Sequence, residues 1–310
     1  MERKVSLKKL SSFRIGGEAE FFLRPKNISE ISEAVVEAKQ KSIPLFILGG
    51  STNILWPDDG FEGLIIKPVS GTLEFQGDEV TAGAGILISE LLPIVLSRGL
   101  SGLEWAGGLP GTLGGAIRGN AGAFGGETKD SIKEVVSFDM DKLEVIKRDR
   151  SSCSFDYRTS VFKTKGNEII LEATLALKPG NKETIQKEIE GRVNYRRERH
   201  PMEHPNVGSI FKNVPVASYK NLDLERFKKV IKQDPFPVIP TAFLIAETGL
   251  KGVSCGGAMI SPKHPNFIVN VLDAEAQDVK DLINLVKVEV YDKFDIKLEE
   301  EILILPENPS

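Results

Sequence analysis

Three polar spots in the sequence could perform chemistry. Tyr157-Arg158-Thr159-Ser160 sets an arginine in a strand-like context, where its planar guanidinium could hold a carboxylate or an enolate oxygen; an ordinary surface arginine is the alternative. Gly208-Ser209-Ile210-Phe211-Lys212-Asn213 brings a hydroxyl, an ammonium and an amide together after a proline-rich approach, or else forms an ordinary capped turn. Glu301 falls in an expected final strand, Lys297 to Leu305, and alternates onto the same face as Leu303 and Leu305. A carboxylate on an apolar face must be paired or functional, unless the strand end leaves it in water.

Glycine supplies a different kind of chemistry. Ten of the 29 glycines lie within residues 102–126. Such density lets backbone N–H groups approach an anion without Cβ obstruction, and a helix starting near Thr112 would add its positive end. A pyrophosphate suits this cradle; a tight surface loop is the other reading, although Leu109, Leu113 and Ile117 favour an ordered, packed one. A second loop, Gly49-Gly50-Ser51-Thr52-Asn53, follows the apolar run Leu45-Phe46-Ile47-Leu48 directly, as a ligand loop at a strand's C-terminal end does. Gly83-Ala84-Gly85 is followed by Ile88 where a dinucleotide fingerprint needs Gly or Ala, and Gly-Lys-Ser/Thr occurs nowhere. A nucleotide site here is neither of Rossmann nor of P-loop type.

Other chemistries are excluded. The three histidines all follow residue 199, so no triad can be built on the N-terminal part, and Pro201 and Pro205 prevent a regular helix from presenting His200 and His204 to a metal. No metal site is expected. Arg192, Arg196, Arg197 and Arg199 could bind phosphate, but Glu188, Glu190 and Glu198 make a solvated helix face the commoner explanation. A net charge of −4 gives no global basic field for nucleic acid or an anionic membrane. Cys153 and Cys255 read as reduced thiols, the start Met1 to Lys9 lacks a signal-peptide apolar region, and no run of 18 apolar residues occurs. A soluble cytoplasmic protein is expected.

The elements that must position these residues can be read from hydrophobic periodicity, in a chain of 310 residues with 41% hydrophobic side chains that suffices for two or three cores. Residues 20–125 alternate strands with helices over about 29–41 and 87–98, the second ending at Gly99; the first carries Ile31, Ala34, Val35 and Ala38 on one face. Residues 133–177 change to strands, and Pro179-Gly180 closes them as a possible boundary. A charged helix over about 182–199 follows. The proline-spaced stretch 214–240 resembles an excursion around a short helix rather than core. A last helix over about 276–294 places Val279, Leu282, Ile283, Val286, Val290 and Phe294 on one face. The βα alternation over 20–125 says α/β class.

Taken together these segments resemble the UDP-N-acetylenolpyruvoylglucosamine reductases of peptidoglycan synthesis, the MurB family. The resemblance rests on Ser12-Phe13-Arg14-Ile15-Gly16-Gly17, the Gly49 to Leu55 loop, Gly108 to Ala116, Asn120 to Gly125 and Phe155 to Ser160, then Gly208 to Asn213, Gly249 to Gly252, Ser261 to Asn270 and Leu298 to Ile302, in order along the chain. It implies the α+β class instead, as a two-subdomain FAD-binding fold of the vanillyl-alcohol oxidase type, residues 1–72 and 73–195, with a C-terminal α+β substrate-binding domain, residues 196–310. It implies FAD on Gly49, Gly50, Ser51, Thr52 and Asn53 and on Pro110, Gly111, Thr112, Gly114, Gly115, Asn120, Ala121 and Gly122. With no His before 200 and no Cys before 153, the flavin is expected to be non-covalent. NADPH is the implied co-substrate, and a UDP-sugar enolpyruvyl ether is the substrate. Arg158 is then the cation for enolate charge, Ser209 the proton donor and Glu301 the group that positions the substrate carboxylate; Lys212, Asn213 and His264 are substrate-binding. A different flavin oxidase on the same fold, or a non-catalytic binding protein, are the competing expectations. Two departures stand out. Arg118-Gly119 precedes Asn120 where relatives usually have Met before the Asn, and Val214 replaces the usual Pro after Lys212-Asn213.

Overall fold

Periodicity alone places the helices well. Ile31, Ala34, Val35 and Ala38 are the buried residues of the helix Ile28–Gln40, whose start is capped by Asn27 accepting from the Glu30 N–H at 2.9 Å. The helix Ile88–Ser97 stops before Gly99, which takes φ +68°. The helices Lys182–Arg199 and Ala276–Phe294 also appear where expected. The computed structural model describes residues 1–69, 71–219 and 224–306, so 220–223 of the proline-spaced stretch lie outside the described residues. The fold is of the α+β class, and the chain forms two units: residues 1–5, 19–50 and 62–195, and residues 6–18, 51–61 and 196–310.

The two larger sheets lie in the first unit. One orders Glu2–Ser6, Glu18–Leu23, Phe61–Ile66 and Leu45–Ile47, the last pair running parallel. The other is antiparallel and orders Glu144–Asp149, Ile132–Asp139, Glu168–Ala176, Glu79–Gly83 and Leu73–Gln76. One apolar cluster joins the helix Ile28–Gln40 to Leu64, Ile66, Phe138, Met140 and Ile169. Inside the second sheet the buried Glu168 carboxylate takes a fork of two bonds from Arg148, at 3.0 and 2.6 Å, and one from the Ser137 hydroxyl. That satisfies a charge which burial alone would penalise.

The second unit centres on the helix Ala276–Phe294, which buries Ala276, Val279, Leu282, Ile283, Val286, Val290 and Phe294. It packs on a small sheet of Ser254–Cys255, Ala258–Ile260 and Ile268–Asn270.

Two sequence expectations fail in this unit. The proline-spaced stretch is not all excursion: Val214–Pro215 pairs with Val238–Ile239, and Phe227 is 1% exposed among Phe243 and Phe294 at ring separations of 6.3 and 5.8 Å. Its prolines interrupt the hydrogen-bond pattern without preventing a few large side chains from anchoring it. The final strand is only Leu303–Ile304, parallel to Ile54–Leu55. Ile296, Leu298 and Ile302 are the buried side chains there, so Glu301 sits half-buried in a bend and does not share a continuous apolar strand face with Leu303 and Leu305.

Candidate active site

Gly49 meets the second glycine loop, at Thr112, within the first unit. A Cβ on Gly49 would lie 2.9 Å from Thr112 Oγ1, so any larger residue in the turn leaving the strand Leu45–Ile47 must displace that oxygen. Thr112 caps the helix Leu113–Arg118 by accepting from Gly115 N–H at 3.3 Å. The expected positive helix end is absent as an anion site. The helix has six residues, and its leading N–H groups are spent: Leu113 donates to Ile86 carbonyl oxygen at 2.9 Å, Gly114 to that of Ala84 at 2.8 Å and Ala116 to that of Thr112 at 2.9 Å. The free donors lie elsewhere. Among the described residues, no acceptor pairs with the backbone N–H of Gly49, Gly50, Ser51, Thr52 or Asn53. The unpaired N–H groups of Gly49 and Gly50, beside the slot at Thr112 in the first unit, suit an anionic cofactor such as the FAD pyrophosphate.

Asn120 does something different from grasping a ligand. It is fully buried, and its amide donates to Asp156 carbonyl oxygen at 3.0 Å and accepts from Lys129 N–H at 3.1 Å. It therefore braces the loop. Ala121 carbonyl oxygen accepts from both the N–H and the hydroxyl of Thr128. Gly122 carbonyl oxygen accepts from Arg158 Nη2 at 2.8 Å, and a Cβ on Gly122 would meet Glu127 Cγ at 2.8 Å and Arg158 Nη1 at 3.2 Å. The guanidinium thus lies against the glycine loop itself. Arg158 is not in a strand: its φ is +56°, in a turn closed by reciprocal Asp156 and Thr159 main-chain bonds. Lys163 Nζ donates to its carbonyl oxygen at 2.9 Å, and the guanidinium lies 5.1 Å from the Tyr157 ring centroid. Of the basic run, Arg192 also departs from a purely solvated face, stacking on Phe124 at 4.7 Å. Arg118 is exposed, and its carbonyl oxygen accepts from the buried Ser160 hydroxyl at 2.7 Å.

The residues that follow Ser209 pair with the Glu299–Glu301 segment in the second unit through main chain. Glu301 N–H donates to Ile210 carbonyl oxygen at 2.8 Å, and Lys212 N–H to that of Glu299 at 3.0 Å. Asn53 Nδ2 donates to Glu301 carbonyl oxygen at 3.0 Å, and Leu303 N–H to that of Asn53 at 2.9 Å, so the Glu301 bend is tied to Asn53 as well. Ser51, 2% exposed, accepts from Trp56 Nε1 at 2.9 Å. Lys212 is ion-paired with Glu299, and its carbonyl oxygen accepts from the Thr241 hydroxyl at 2.5 Å. Asn213 Oδ1 accepts from Thr241 N–H at 3.2 Å, and Val214 packs into the core, paired with Ile239. His264 stands 5.3 Å from His200 and 4.8 Å from Phe267, ring centre to ring centre, with its Nδ1 buried and unpaired. Burial pushes both imidazoles down to about 4, helped at His200 by His264 beside it, so both are neutral near pH 7.

Sequence reasoning missed the residues that only hold others: Asn206, whose amide accepts from Gly208 N–H at 3.0 Å, and Asn266. Asn206 lies just before a quoted motif and Asn266 inside one, but an amide that bonds backbone leaves no periodic trace. Among the described residues no group of three His, Cys, Asp or Glu gathers to hold a metal, Cys153 and Cys255 are free, and no helix is long and apolar enough to cross a membrane.

Comparison with known proteins covers both units. Residues 19–142 match the FAD binding domain model, and residues 200–305 match that of the UDP-N-acetylenolpyruvoylglucosamine reductase C-terminal domain. The reductase of that name from Carboxydothermus hydrogenoformans is 38% identical over 303 residues, covering 96% of this chain and 91% of its own. That from Anoxybacillus flavithermus is 36% identical over 298 residues, covering 95% and 91%. The crystal structure of the Thermus caldophilus enzyme aligns with a TM-score of 0.76 at 28% identity, covering 98% of each chain. The chain belongs to the UDP-N-acetylenolpyruvoylglucosamine reductase family.

Proposed function

We propose that this protein reduces the enolpyruvyl ether of UDP-N-acetylglucosamine enolpyruvate to UDP-N-acetylmuramate, with NADPH as reductant, in the supply of peptidoglycan precursors. The observation that carries the reading is the match to reductases of this name along nearly the whole chain. FAD, when bound, supplies the hydride carrier between NADPH and substrate. The 49–53 loop, with its unpaired N–H groups, and the loop from Pro110 through Gly111, Thr112, Gly114 and Gly115 to Asn120, Ala121 and Gly122 are the residues assigned to hold it, without a covalent link. Residues 1–72 and 73–195 are assigned as the cofactor subdomains and 196–310 as the substrate domain.

The chain's own residues handle charge and protons. Hydride arriving at the methylene carbon pushes the π electrons toward the carbon that bears the carboxylate, giving an enolate. Arg158, anchored by Gly122, is assigned to meet that negative charge; a preorganised cation is most effective where charge develops. The Ser209 hydroxyl, which bonds no other side chain or main-chain group among the described residues, gives its proton to the α-carbon and regains one from solvent. Glu301 orients the substrate carboxylate. Lys212, Asn213 and His264 are assigned to the remainder of the substrate, Lys212 exchanging its Glu299 partner for an anionic group. A UDP-sugar substrate and free thiols fit a cytoplasmic site of action.

Absorbance of the pure protein tests this. A flavin band should bleach under anaerobic NADPH and return when the enolpyruvyl sugar nucleotide is added. A colourless protein that FAD cannot reconstitute would sink the reading.

A further inference from the structure

Ser209 and the three residues after it lack a regular strand around them. Their bridge partner is Glu300, opposite Phe211, and on that edge Glu301 and Glu299 supply two main-chain bonds. On the other edge a side chain does the work of a strand. Ile210 N–H donates to Asn266 carbonyl oxygen at 2.8 Å; Phe211 N–H donates to Asn266 Oδ1 at 3.0 Å; Asn266 Nδ2 donates to Phe211 carbonyl oxygen at 2.8 Å. One amide so satisfies both main-chain groups of a residue that is 1% exposed, and Asn266 is itself 3% exposed. Its turn is fixed in place: Ser261 Oγ accepts from Lys263 and His264 N–H groups at 3.2 and 3.3 Å, and Ser261 N–H donates to Phe267 carbonyl oxygen at 2.9 Å. An aspartate there keeps the acceptor and loses the donor, and alanine loses both.

We propose that Asn266 is a positioning residue for Ser209, clamping the Phe211 main chain so that the Ser209 hydroxyl is held at the carbon it protonates. It rests on the reading of Ser209 as proton donor. Asn266 touches neither substrate nor cofactor in this role, so its effect belongs to the substrate half-reaction alone. A displacement of the donor by a fraction of an ångström to one ångström costs about 10- to 100-fold in that step.

The experiment uses the FAD-loaded full chain and stopped-flow absorbance, with Asn266→Asp, Asn266→Ala, Ser209→Ala and the double variant Ser209→Ala/Asn266→Ala. Bleaching by NADPH, thermal unfolding and FAD affinity serve as readouts that a general loss of structure would move. The expected result is reoxidation by the enolpyruvyl substrate slowed about 10- to 100-fold in Asn266→Ala and less in Asn266→Asp, with bleaching unchanged. Adding Asn266→Ala to Ser209→Ala should cost little more, because a residue that acts through another cannot be lost twice. Reoxidation within twofold of the parent overturns the proposal, as does a loss of bleaching in step with reoxidation, or losses that multiply in the double variant. If Asn266→Ala fails to fold, Asn266→Asp carries the same comparison. Full turnover in Ser209→Ala would instead remove the proton-donor reading, an outcome distinct from any of these.

Discussion

The glycine loops of the first unit and the Ser209 segment of the second are built in opposite ways. The loops work with what is missing: a slot at Gly49 that a Cβ would close at 2.9 Å, and N–H groups left unpaired at Gly49 and Gly50. The Ser209 segment works with what is added, since Asn206 and Asn266 use side-chain amides to finish main-chain bonds at Gly208 and Phe211. Backbone donors suit a large anion that many contacts share. A single proton transfer needs one atom held in place, and buried amides, with a donor and an acceptor in one plane, can do that.

Several changes would break or sharpen that contrast. Ser209→Ala should lower turnover about 10²- to 10⁴-fold while flavin reduction by NADPH persists, as single-turnover kinetics would show. Arg158→Met should cost about 10²- to 10³-fold in the same step, measured as kcat with saturating substrate. Full activity in either would erase the distinction between a chemical segment and a binding loop.

Gly49→Ala tests the loop side. Its Cβ must displace Thr112 Oγ1, a cap atom, at a cost of about 1–3 kcal/mol. FAD titration of the apoprotein should show weaker binding, while FAD affinity equal to the parent would mean the slot is not needed. His200 and His264 lie in the second unit, so acid should weaken that unit first. The unfolded imidazoles take up protons near 6.5, and folded His200 and His264 only near 4. The unfolded state thus binds more protons in between, and stability falls as pH drops from about 6.5 toward 4. Urea midpoints across that range should fall less steeply in His264→Gln. Thr112→Val should show the smallest effect, about 1 kcal/mol from the lost cap, read from the same midpoints near pH 7.

Much of the fold was legible because burial writes a period into the chain. The helices Ile28–Gln40 and Ala276–Phe294 bury the residues that 3.6-residue spacing selects. The same reasoning put Glu301 on a strand face, and there it failed: Lys297 to Glu301 pairs at too few points to form a strand, and the phase of burial follows Ile296, Leu298 and Ile302. Arg158 was read as extended, but its left-handed turn depends on a local Asp156–Thr159 closure and on Gly122 accepting from its guanidinium. The helix beginning at Leu113 was anticipated. That its leading N–H groups are consumed by Ala84 and Ile86 was not, because those acceptors lie about thirty residues earlier in the chain.

The sequence by itself determined the residue types that could do the chemistry, the glycine density, the absence of nucleotide fingerprints of other folds, and the family resemblance. These are properties of composition and local order. Tertiary structure alone decided which donors stay free, that Ile210 and Asn53 bind the Glu301 segment, and that Asn266 completes the segment carrying Ser209. Each of those is a pairing between residues distant in the chain, and a hydrogen bond's partner is chosen by the position the folded backbone gives it, which no local pattern encodes.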